Sequence, residues 1–124
     1  MANTTYPTAL FDQGNTGHEL MPQYALMDTA GEIPLKKGGI VVMNNGSATI
    51  ALTLASDITA GSFFIFFCAD TTGAGHTITT PTGVTWDGTN DVATFDADGE
   101  FLMVFMESST RLRVVYNPNS VAFS

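Results

Sequence analysis

The chain has 124 residues, 44% of them hydrophobic and only 13% charged. That length fits one domain whose core buries about two thirds of the surface exposed by the unfolded chain. Twelve acidic against four basic side chains give a formal net charge of −8, and the bases occur only as Lys36 with Lys37 and Arg111 with Arg113, which excludes the basic groove that a phosphate backbone needs. No apolar run approaches the roughly 20 residues of a membrane-crossing helix, and no basic leader precedes an apolar segment. Neither nucleic acid nor membrane is therefore an expected partner, and synthesis in the cytoplasm is expected. Abundant Gly, Thr, Ala and Asn mark an all-β structural composition. So low a charged fraction leaves little solvating surface, as in a protein that works covered within an assembly.

Residues 1–35 keep no sustained period. They carry Pro7, Pro22 and Pro34, and their apolar residues come in short groups: Leu10-Phe11, Leu20-Met21 and Tyr24-Ala-Leu-Met27. Such a segment has no core of its own but can dock those groups on a surface one at a time. We read it as an extended arm with Leu10, Phe11, Leu20, Met21 and Tyr24 as docking residues, a plain disordered terminus being the alternative. A short strand at residues 24–28 is compatible with either.

From Lys36 to Ser124 the texture changes to short strands punctuated by turn residues, at intervals typical of sandwiches and barrels. Residues 39–43 form a first strand, and the Asn45-Gly46 pair that follows is the strongest short hairpin signal in the chain. Residues 48–54 alternate cleanly, with Ile50, Leu52 and Leu54 inward and Thr49 and Thr53 outward. A turn at residues 56–61 leads to the strand at 63–68. After the Gly-rich loop at 71–75 come strands at 76–80 and Val92–Phe95, with residues 84–86 as a short edge strand between them. Residues 101–107 and Arg111–Tyr116 then make a hairpin through Ser108-Ser-Thr110. The expected fold is all-β, a single β-sandwich (jelly-roll-like) or small barrel of about eight short strands, with no helix.

One feature of this pattern bears on function. In an extended strand Phe63, Ile65 and Phe67 fall on one face and Phe64, Phe66 and Cys68 on the other, so both faces are apolar. Residues 101–107 repeat the feature. Each strand must then be covered twice, once by the domain's core and once by something else, for which another copy or a partner surface is the simplest candidate. Arms and loops of the same chain are the alternative cover. Candidate oligomer-interface residues are Phe63, Phe64, Phe66, Leu102, Val104 and Met106.

Residues that could carry chemistry are few. His18 and His76 lack Cys or Glu neighbours at ligand spacing, and His76 reads as a hydrogen-bonded strand-end residue. Asp96-Ala-Asp-Gly-Glu100 places oxygens around a turn as a calcium loop does, but strands flank it and the further ligands are missing, so a β-turn is expected. Cys68 is a small buried hydrophobe. No nucleophile elbow, phosphate loop, CxxC or zincin pattern occurs, so no catalytic residue, metal or cofactor is expected. Trp86 is either a packed indole or an exposed sugar-stacking platform.

His76-Thr-Ile-Thr-Thr80, Asp91-Val-Ala-Thr-Phe95 and Gly99-Glu-Phe-Leu-Met-Val-Phe105, preceded by Ile50-Ala-Leu-Thr-Leu54 and Ala60-Gly61, follow one another in an order that resembles tailed-bacteriophage structural proteins. The resemblance covers about residues 40 to 116. It departs where Ser-Thr-Arg111 replaces a Gly-Lys-Trp and where no shaft segment accompanies the module. It implies a virion component: a capsid decoration (cement) protein on the head exterior, bound to the major capsid protein and usually trimeric, or else a fibre-like receptor- or glycan-binding module.

Overall fold

A computed structural model describes residues 23–70 and 75–124. Among the described residues there is no helix, and ten strands form two five-stranded sheets that face each other. In chain order they are β1 (Tyr24–Met27), β2 (Gly31–Ile33), β3 (Gly38–Asn44), β4 (Ala51–Leu54), β5 (Phe63–Asp70), β6 (His76–Thr79), β7 (Val92–Phe95), β8 (Phe101–Ser108), β9 (Arg111–Tyr116) and β10 (Ala122–Phe123). The first sheet has the order β1-β3-β5-β8-β9 and the second β10-β7-β6-β4-β2.

The chain alternates between the sheets from β1 to β6, so β1, β3 and β5 pair in parallel in one sheet while β2, β4 and β6 do so in the other. A parallel pair needs a crossover, and here each crossover is a strand of the opposite sheet rather than a helix. The remaining strands add antiparallel: β7 beside β6, β8 beside β5, β9 beside β8 and β10 beside β7. The molecule is thus an all-β sandwich, as expected, but its first six strands are wound in three parallel coils rather than in the antiparallel connections of a jelly roll.

Three local expectations fail. Asn45-Gly46 closes no hairpin, because β3 and β4 lie in different sheets. A two-residue primed turn needs positive φ at its glycine, and Gly46 is not among the glycines that have it. Instead the Asn45 Oδ1 accepts the backbone N–H of Ser47 (2.9 Å) and Ala48 (3.0 Å), while its Nδ2 donates to the Asp28 carbonyl (2.7 Å). The side chain turns the strand's exit towards the second sheet. The second failure is at residues 24–35, expected to belong to the arm. They supply β1 and β2, because Ala25 and Ile33 face inward and are buried. The edge strand expected at residues 84–86 is a single bridge between Thr85 and Arg111.

The core lies between the sheets. Ala25, Val41, Met43, Phe64, Phe66, Cys68, Leu102, Val104, Met106 and Leu112 enter it from the first sheet, and Ile33, Leu52, Leu54, Ile78, Ala93 and Phe95 from the second. Phe64 and Phe66 stack with centroids 5.5 Å apart, and Trp86 meets Phe66 edge-on at 5.7 Å. Trp86 arrives from the connection between β6 and β7, which reaches the first sheet when Leu112 N–H donates to the Thr85 carbonyl (2.8 Å). Gly38 begins β3 at φ +90°, and a Cβ there would collide with the Phe63 backbone, so only glycine lets β3 start this close to β5.

Candidate functional site

The outer face of the first sheet is where the two-sided apolarity emerges. Strand register aligns its side chains in three rows across the sheet. A middle row runs Tyr24, Ile40, Ile65, Met103, Tyr116; on one side of it lies Leu26, Val42, Phe67, Phe101, and on the other Phe63, Phe105, Arg113. Phe101 and Tyr116 close their corner edge-to-face at 5.8 Å. Arg113 is the one charged member, and its guanidinium is paired with Glu107 at 2.9 Å at the sheet's end. Tyr24 is 62% exposed, Leu26 52%, Phe63 42%, Phe67 38% and Tyr116 53%, and the other apolar members are half-buried. Contiguous apolar patches of this kind mark interaction surfaces.

The parity of the strands corrects the candidate interface. Phe64, Phe66, Leu102, Val104 and Met106 are buried in the chain's own core, out of reach of any partner, and of the six candidates only Phe63 faces outward. The outer set that sequence reasoning left out is Leu26, Ile40, Val42, Ile65, Phe67, Phe101, Met103, Phe105 and Tyr116. The polar Glu107 at the end of β8 holds the clue: it is exposed, and residues 105, 103 and 101 share its face. Of the docking residues, Leu10, Phe11, Leu20 and Met21 lie outside the described residues, while Tyr24 is the first outer-face residue of β1.

The residues weighed for chemistry have structural roles. His76 is fully buried at the start of β6; its Nδ1 accepts the Ile50 N–H (3.1 Å) and its Nε2 bonds the Asp70 carbonyl, so the ring ties the entry of β4 to the end of β5. At residues 96–100 the Glu100 carboxylate turns back on its own loop and accepts the N–H groups of Asp96 (2.6 Å) and Ala97. Burial nonetheless pushes the Glu100 carboxyl above its usual range. Asp87 accepts from the backbones of Asn90 (2.8 Å) and Thr89 (3.0 Å), bonds that hold its carboxyl below the usual value in an exposed turn. No group of three or more His, Cys, Asp or Glu side chains among the described residues could hold a metal ion. Trp86 is fully buried and packs on Phe66 and Phe123, so it offers no face for a sugar. Gln23, Glu32, Pro34, Lys36 and Lys37 line a shallow open depression whose Lys36 is paired with Asp57 at 3.2 Å. The sequence matches no family model, and no curated protein matches it.

Proposed function

We propose that this chain is a virion structural protein, a capsid decoration protein of a tailed bacteriophage that sits on the head exterior and clamps neighbouring major capsid subunits. The observation that carries the reading is the outer face of the first sheet: a largely apolar surface, with Arg113 and Glu107 paired at one end, on an acidic, low-charge β-sandwich is adhesive by construction. Self-association through that face, which the resemblance puts at three copies, adds the interfacial area with which a cement protein resists the outward pressure of packaged DNA. Residues 1–22, with Leu10, Phe11, Leu20 and Met21, are the segment proposed to dock on the shell.

The competing receptor- or glycan-binding reading drew on Trp86 and the acidic loops, and the burial of that indole removes its stacking platform. Quantitative mass spectrometry of purified particles tests the proposal. Hundreds of copies per particle are expected; a few to tens would place the chain in a fibre or tail, and absence from particles would refute a virion role. A variant lacking residues 1–22, which stops short of β1, is expected to fold and to lose shell binding.

A further inference from the structure

The outer face needs an occupant of matching shape, and the distribution of charge along the strands indicates which. Because β3, β5 and β9 all run the same way, their first residues lie at one end of the sandwich. All four bases are at that end: Lys36 and Lys37 just before β3, Arg111 and Arg113 at the start of β9. The opposite end carries Asp28 after β1, Asp70 closing β5, and Asp96 and Asp98 between β7 and β8, with Glu100 buried beneath them and no base among the described residues. The apolar face therefore lies between a mixed end and a purely acidic one.

We propose that the face is occupied by the same face of a second copy, with the strands of the two copies antiparallel, around a two-fold axis that lies between the sheets and runs across the strands along the middle row. This rests on the self-association part of the reading above, but it replaces the three copies that the resemblance implies with two on this face, and it does not depend on capsid binding. Three observations carry it. First, the patch lies on one face of one sheet, and a single face is covered by one isologous partner, whereas a threefold ring requires each copy to offer two different surfaces. Second, at about 200 Å² per aromatic side chain, the exposed fractions of Tyr24, Phe63, Phe67 and Tyr116 amount to about 390 Å². Leu26 and the half-buried members raise this to roughly 600 Å² per copy, so two copies together reach about 1,200 Å², the lower bound of a stable interface.

Third, the antiparallel arrangement sets the acidic end of each copy over Lys37 and Arg113 of the other. A parallel pair or a threefold bundle would gather the carboxylates of every copy at one end, within the roughly 8 Å over which charges still act at physiological salt. On this axis Ile65 and Met103 each meet their own counterpart, and Phe63 lies over the partner's Phe67. The two Phe63 side chains of a pair are then about 13 Å apart along the strands, four residues at 3.3 Å each.

Single cysteines at the outward positions Phe63 and Phe67 test this, because neither substitution enters the core and the native Cys68 is buried. Each variant is treated with a short bis-maleimide, alone and mixed with the other after exchange of subunits, and its native mass and far-UV circular dichroism are recorded. The expected result is a dimeric mass, with strong cross-linking in the Phe63→Cys and Phe67→Cys mixture and at least about tenfold less in either variant alone; Ile65→Cys is expected to cross-link to itself. A trimeric mass, or stronger cross-linking within Phe63→Cys alone than in the mixture, would overturn the two-fold arrangement while leaving self-association intact. A folded monomer without cross-links would overturn both, and would leave residues 1–22 or an unrelated protein as the cover.

Discussion

Replacing His76 by alanine isolates one hinge of the winding. Its ring is fully buried and ties the end of β5 in one sheet to the entry of β4 in the other, through the Asp70 carbonyl and the Ile50 N–H. Removing it leaves the buried Ile50 N–H without a partner and the half-buried Asp70 carbonyl with only the weak Cys68 thiol contact at 3.6 Å, at about 1–3 kcal/mol each, and a cavity that adds about 1–2 kcal/mol. Water entering the cavity relieves part of this, so the expected loss is roughly 3–6 kcal/mol, a large share of the 5–15 kcal/mol by which a domain is ordinarily stable. Urea titration followed by circular dichroism measures it, with an unchanged slope required for the comparison to hold. His76→Gln, whose amide offers one donor and one acceptor, is expected to recover at least half of the loss. A loss below about 1 kcal/mol for His76→Ala would refute the reasoning, since the ring would then not be holding these groups.

The two faces of β5 are expected to respond differently: Phe66→Ala costs about 3–5 kcal/mol in urea unfolding, whereas Phe67→Ala costs the monomer under about 1 kcal/mol and weakens self-association. Equal costs would contradict the assignment of core and outer face. Burial pushes the Cys68 thiol up to about 11, so at pH 8 the native chain is expected to react with a maleimide at least about 100-fold more slowly than the urea-unfolded chain. Comparable rates would mean that β5 does not stay closed. Because burial raises the Glu100 carboxyl, the folded chain holds that proton more tightly than the unfolded one; the resulting stability is complete below the unfolded value and is lost as pH rises through the folded one. Relative to Glu100→Gln, wild-type stability is therefore expected to fall as pH rises above the ordinary carboxylate value of about 4, and a rise in the same direction would show that the two backbone donors outweigh burial.

Strand positions were largely legible because alternation and turn residues are local signals. Ile50, Leu52 and Leu54 face inward as their spacing requires, and the hairpin through Ser108-Ser-Thr110 forms as read. Pairing partners were not legible, since a crossover that is itself a strand looks in sequence like one arm of a hairpin. Asn45 was misread for this reason: its side chain bonds forward to Ser47 and Ala48 and sideways to Asp28, a contact across 17 residues that no local rule anticipates. The existence of an adhesive face was visible in Phe63-Phe-Ile-Phe-Phe67, but its sign was not, because a strand apolar on both sides gives parity no polar reference within itself. β2 was missed because three residues carry too little alternation to register, and its burial of Ile33 depends on β4 beside it.

The most direct test of the account is the mass of the wild-type chain in sedimentation velocity at about 1–50 µM, alongside Phe67→Glu, which places a carboxylate at the outer face without entering the core. The wild-type chain is expected to sediment as a multiple of 13.1 kDa, and Phe67→Glu as a folded single chain. A wild-type chain that remains at 13.1 kDa across that range, with the outer face still bare, would contradict the claim that this face is built to be covered by another copy.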